Sequence, residues 1–142
     1  MREIKFRGMT EAGEWLYGGY VTRNNAHYIL DGECDHVEID GREANILHFH
    51  IVKYKTVGEY TGLKDKNGKE IYEGDIVEKW SHCSLLERRS PFYNGGVGYH
   101  KSFTTTVKWS EQGLNYNIYP HHDDAYWLVI GNIWENPELL ES

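Results

Sequence analysis

Histidine, cysteine and carboxylate side chains are the first candidates for chemistry in this 142-residue chain. His48-x-His50 and Cys34-x-His36 each place two ligand types on one face of a strand, because strand side chains alternate at period two. His82-Cys83 and His121-His122-Asp123-Asp124 add further donors. A structural zinc site needs about four ligands, commonly as spaced pairs such as CxxC with HxxxH. None of the spacings here fits that pattern, so partly exposed histidines are the plainer reading and no metal is expected. His82 beside Cys83 resembles a base and a nucleophile. Adjacent strand residues face opposite ways, however, and no third group orients the pair.

Three further stretches invite a chemical reading and do not sustain it. Asn94-Gly95-Gly96-Val97-Gly98 lacks the Lys-Ser/Thr and the following helix that complete a phosphate loop. Glu73 and Asp75 flank Gly74, but acid–base work needs a pocket and shifted pKa values. Asp75 reads better as a group that bonds local backbone and holds a turn. Arg88-Arg89 could grip a phosphate, although two arginines in a polar loop are ordinarily solvated. The expectation is therefore a non-enzymatic protein with no catalytic residue, no cofactor and no metal.

Composition narrows the partners. Lys+Arg 15 against Asp+Glu 22 gives a net charge of -7, the opposite of the electrostatic footprint of a general nucleic-acid binder. Two cysteines, Cys34 and Cys83, do not build a disulfide framework. The charged opening Arg2-Glu3-Ile4-Lys5 is not followed by an apolar signal core, and the run Ala125 to Ile130 is too short to span a bilayer. A soluble protein of the bacterial cytoplasm, with no membrane association, is expected.

The elements that must position any site read as strands. Aromatics make up 14% of the chain, with Trp 5 and Tyr 11, and aromatic and β-branched residues suit a pleated surface. The centre of organisation is Tyr60 to Lys79. Asn67-Gly68 there signals a hairpin turn with φ > 0 at both residues, and Glu73-Gly74-Asp75 a second turn before the strand Ile76 to Trp80. Upstream, residues 1–8 predict a strand with Ile4 and Phe6 on one face. Trp15 to Val21 follows as a strand whose Gly18-Gly19 indicates a bulge or a close backbone approach. Asn24-Asn25 signals a turn, His27 to Leu30 a short strand, Asp31 to Glu43 a loop or weak strand, and Ala44 to Val57 an imperfect strand. Ser81 to Ser102 predicts a long loop or hairpin arm. Phe103 to Trp109, Leu114 to Tyr119 and Tyr126 to Trp134 predict strands. Asn136-Pro137-Glu138 has the order of an N-cap, a first-turn proline and an acidic first turn, predicting a short C-terminal helix.

MREIKFRG at the start, YTGLKDKNGKEIYEGDIV in the centre and VIGNIWENPELL at the end together resemble the YopX family of phage and prophage proteins. The segments 22–56 and 81–106 carry no matching motif. The resemblance implies one mainly β domain over residues 1–142. It places an SH3-like barrel in the C-terminal part (60–142) and an additional N-terminal β lobe (1–59), with homo-oligomers as a plausible assembly. It implies no established activity, and its motif residues read as structural: Gly62, Gly68 and Gly74 for turns, Ile76, Val77, Ile130 and Ile133 for core.

The functional expectation is an accessory phage protein that binds a host or phage protein, or a copy of itself, through aromatic side chains and a sheet edge. Tyr99, Trp109, Tyr116, Tyr119 and Trp127 are the candidate surface residues, some of which must be core. The alternative is a nucleic-acid-associated small barrel whose aromatics stack on bases.

Overall fold

The computed structural model describes residues 3–82, 99–120 and 125–141. Cys83, Arg88-Arg89, the 94–98 glycine stretch and the 121–124 histidine–aspartate run lie outside the described residues. The protein is mainly β and divides into two units, Met1–Gly62 and Leu63–Ser142.

The first unit is an antiparallel meander. Its strands are β1 (Phe6–Met9), β2 (Trp15–Arg23), β3 (Ala26–Ile39), β4 (Arg42–Ile51) and β5 (Gly58–Lys64), with a 3-10 turn at Tyr54–Thr56. They lie in the order β4-β3-β2-β1-β5. Two tight hairpins shape the meander. Asn24 and Asn25 both adopt positive φ (52° and 64°) between the paired Arg23 and Ala26. Asp40 and Gly41 do the same (53° and 76°) between Ile39 and Arg42. Both are two-residue loops whose reversed twist matches that of the flanking strands.

Of the segment Asp31 to Glu43, expected as a loop or weak strand, residues 31–39 form the second half of β3. Their polarity gives no strand signal alone, but pairing with β4 from Cys34–Leu47 to Ile39–Arg42 supplies the ladder. Of the bulge or close backbone approach indicated at Gly18-Gly19, the structure shows the close approach at Gly18. A Cβ on Gly18, at φ +154°, would lie 1.7 Å from the Leu30 carbonyl oxygen. The opening strand starts later than expected, at Phe6, and Ile4 is exposed.

The second unit takes up the end of β5 and adds β6 (Glu70–Tyr72), β7 (Asp75–His82), β8 (Tyr99–Thr106), β9 (Trp109–Ser110), β10 (Asn115–Tyr116) and β11 (Ala125–Asn132). β11-β7-β8 form a three-stranded sheet and β10-β9 a separate ribbon. These are open antiparallel sheets, and the described strands close no barrel. β8 and β11 remain the outer strands of their sheet, because the ribbon pairs only within itself. The core gathers Ile71, Val77, Val107, Tyr116, Ile118 and Trp127. At the C-terminus Pro137–Leu140 is a single 3-10 turn, not an α-helix. Asn136 makes no side-chain cap there. Its Oδ1 accepts the Asn132 N–H at 3.3 Å.

The central hairpin departs from expectation in its turn. Gly68 alone takes positive φ (85°), and Asn67 does not. The Asp65 carboxylate decides this. Its Oδ1 accepts the N–H groups of Asn67 and Lys69, both at 2.9 Å, while Oδ2 accepts the Val129 N–H of β11 at 3.1 Å. Asp65 is 5% exposed, so this local turn-holding pattern also ties the hairpin to the sheet. Asp75, equally buried, accepts the Tyr72 N–H at 2.8 Å and holds the next turn, as the sequence indicated.

Buried charge-assisted hydrogen bonds contribute about 1.5–3 kcal/mol each. Asp65→Ala should therefore lower unfolding free energy by about 3 kcal/mol or more, and Asp65→Asn by less because one acceptor survives. Denaturant unfolding of the three proteins measures both values.

Candidate interaction surface

The aromatic residues of the second unit are placed by strand alternation and cross-strand register. On one face of the three-stranded sheet, Lys79 of β7 sits between Trp127 of β11 and Phe103 of β8. Trp127 is 2% exposed and is the pedestal of this group. Tyr119 and Phe103 pack edge-on to it at centroid distances of 5.4 and 5.9 Å. The Trp127 indole N–H donates to the Tyr119 carbonyl at 3.1 Å. The Lys79 ammonium lies 5.1 Å from the Tyr119 ring and 5.6 Å from Phe103.

The opposite face carries the register neighbours. Tyr126 pairs with Trp80 and their rings stack, 6.3 Å apart and 7° from parallel. Tyr99 meets Tyr126 edge-on at 4.8 Å and His82 at 5.4 Å. Lys66, in the turn that Asp65 holds, reaches this group. Its ammonium stands 4.1 Å from the Tyr126 centroid and 5.5 Å from Tyr99. A cation over an aromatic face is held by the ring quadrupole, most firmly where water is partly excluded.

The five predicted residues thus separate. Tyr116 and Trp127 are core, because β10 and β11 turn them inward against Val77, Val107 and Ile118. Tyr99, Trp109 and Tyr119 remain 37–42% exposed. Trp109 leans edge-on against buried Tyr116 at 5.0 Å. Each exposed ring rests on an aromatic partner: Tyr99 on Tyr126, Trp109 on Tyr116 and Tyr119 on Trp127. Sequence reasoning missed Trp80, Phe103 and Tyr126 as members, and Lys66 and Lys79 as their braces. The register that brings them together is set by pairing across distant segments.

Two of the histidines that invited a metal reading, His48 and His50, face carboxylates in the first unit. His48 Nε2 is 3.0 Å from an Asp35 oxygen, and His50 Nε2 is 2.8 Å from Asp31. The Tyr20 hydroxyl bonds His27 Nδ1 at 2.5 Å. Among the described residues, no three His, Cys, Asp or Glu side chains converge on a common point for a metal. The bond to Asp35 raises the His48 pKa above its ordinary 6.5, against opposing desolvation. The Asp31 pKa is lowered, first by the Glu33 N–H and then, against desolvation, by His50.

The three sequence blocks now have places in the fold. The opening block supplies β1, the central block supplies the Asp65 hairpin and the start of β7, and the closing block supplies the end of β11 and the final 3-10 turn. The family described as YopX protein matches residues 5–141. The chain belongs to the YopX family. Among solved structures, this YopX chain is similar to protein EF1440 from Enterococcus faecalis. The two are 23% identical over 99% of this chain and 100% of that one, with a TM-score of 0.58. That likeness concerns the fold. No curated protein matches the chain. No helix among the described residues is long and apolar enough to cross a membrane.

Two outcomes follow from the placements. Trp127→Ala should lose about 3–5 kcal/mol of stability, as large aromatic truncations in cores do, whereas Trp109→Ala should lose about 1 kcal/mol and keep its circular dichroism. In an NMR pH titration, His48 should titrate above 6.5 and fall toward it in Asp35→Asn. The sign is fixed by the raised value: the pair's contribution to stability is complete below the ordinary histidine pKa and fades as pH rises through the raised one.

Proposed function

We propose that this YopX-family chain is a non-enzymatic accessory protein of phage or prophage origin. It acts in the bacterial cytoplasm by binding another protein. The observation that carries this reading is the mounting of Tyr99, Trp109 and Tyr119. Each is over a third exposed and rests on a ring of Tyr126, Tyr116 or Trp127, of which the last two are core. Aromatic anchors dominate binding energy at interfaces, and pre-ordered ones lose little conformational freedom on binding. Lys66 and Lys79 restrain the rings further. Nothing in such an arrangement requires a reacting group; its use is contact area with a fixed shape.

A nucleic-acid-associated role stands second, supported by the stacked Trp80–Tyr126 pair with the Lys66 ammonium against it. Aromatic faces with adjacent cations can take bases and phosphates together. The net charge of -7 weighs against this reading.

The test compares wild type with the triple variant Tyr99→Ala, Trp109→Ala, Tyr119→Ala as tagged baits in host lysate, each with and without nuclease. The expected result is a protein captured by wild type in both halves and at least tenfold depleted with the triple variant. Capture that disappears on nuclease treatment, with in vitro binding that weakens steeply as salt rises, would transfer the role to nucleic acid. Equal capture by wild type and the folded triple variant removes the aromatic mechanism.

A further inference from the structure

β4 is the outermost strand of its sheet, paired with β3 alone among the described strands. Its free edge therefore presents a row of backbone N–H and C=O groups that a further strand can satisfy. Edge strands are normally blunted by shortness, lysine, proline, inward charge or a bulge. β4 runs ten residues, and from Ala44 to Ile51 it contains no Lys, Arg, Asp, Glu or Pro. The register shift between Leu30 and Cys34 adds its extra residues to β3, so β4 itself stays continuous. Leu47, Phe49 and Ile51 alternate onto one face and are 49–59% exposed; Ile46 on the other face is 49% exposed.

We propose that β4 pairs antiparallel with β4 of a second copy of this chain, about a two-fold axis normal to the sheet. That axis reverses the strand direction and keeps each sheet face continuous across the two copies. Opposed residues then have the same parity, and a register centred on His48 sets Leu47 of each copy against Phe49 of the other. The overlap from Asn45 to Ile51, at about 3.3 Å per residue, makes roughly 23 Å of ladder. At about one bond per residue, the pair makes roughly seven hydrogen bonds, within the range of about 5–15 found in a typical interface. Half-exposed apolar side chains from both copies supply the buried area. Charge on this strand is confined to Arg42 and Glu43 at its start, and His48 and His50 are engaged by Asp35 and Asp31 on their own sheet. An isologous contact needs no selection by charge, because each copy brings the matching surface.

The test is sedimentation equilibrium of the full chain from micromolar to several hundred micromolar. It uses wild type, the double variant Leu47→Lys, Phe49→Lys, and the control Tyr99→Ala. Wild type and control should approach twice the chain mass, while the double variant stays at single mass with unchanged circular dichroism. Hydrogen exchange on wild type gives a second readout independent of variant folding. Along residues 45–51, the amides that do not already bond β3 should slow at least tenfold from the lowest to the highest concentration. A wild type that remains monomeric throughout, a dimer untouched in the folded double variant, or concentration-independent exchange along β4 each overturns the proposal. Loss of the lysate partner in the aromatic variants with dimerisation intact would leave the two sites separate.

Discussion

A carboxylate with almost no access to water must find donors, and Asp65 finds three. Two come from its own turn and one from β11, some sixty residues further along the chain. The requirement is severe because an unsatisfied buried charge is among the most expensive defects a core can hold. It therefore fixes more than a turn. With Asp65 satisfied, Lys66 donates its N–H to the Trp127 carbonyl at 3.0 Å, and its side chain is directed to Tyr126 and Tyr99. The register of β11 on β7 then sets Trp127 on one face and Tyr126 on the other. Much of the second unit's surface character follows from one side chain with nowhere else to put its charge.

The same economy recurs at the C-terminal end of β11. Asn132 accepts the N–H groups of Trp134 and Glu135 and donates to the Glu135 carboxylate. Gly74 leaves the room that Trp134 occupies: a Cβ there would come within 2.2 Å of that indole. Motif residues that read as a family signature thus resolve into two polar knots, at Asp65 and Asn132, and one ring packed on a bare backbone. Their chemistry is architectural. The adaptable chemistry sits on the aromatic side chains that this framework holds outward.

Local signals in the sequence carried well where the cause was local. Asn24-Asn25 turns the chain as its composition indicates, and Asp75 holds its own turn. Asn67-Gly68 has the dipeptide of a tighter hairpin, yet Asp65, two residues earlier, captures the Asn67 N–H and imposes a different turn. Asp40-Gly41 is a hairpin dipeptide of the same kind, set in a polar segment that gives little strand signal of its own. Residues 31–39 became a strand for a reason that lies in β4, not in themselves. The candidate surface was legible only by residue type. Which tyrosines and tryptophans point outward depends on register, and register is decided between segments that the sequence keeps far apart. An expected barrel resolved into open sheets for the same reason: closure depends on which outer strands meet.

The meander of the first unit has a bearing on how the chain is made. β1, β2 and β3 each pair with the next strand in order, and two of the three reversals are two-residue loops. Contacts between near neighbours close small loops and form quickly. The sheet β11-β7-β8 is different, since β11 must find β7 across more than forty residues. On a ribosome that releases the N-terminus first, the β3–β4 hairpin emerges and closes while the segment that completes the second core is still untranslated. The exposed apolar edge of β4 is thus among the earliest finished surfaces of the nascent chain, and on a crowded polysome it lies near identical copies of itself.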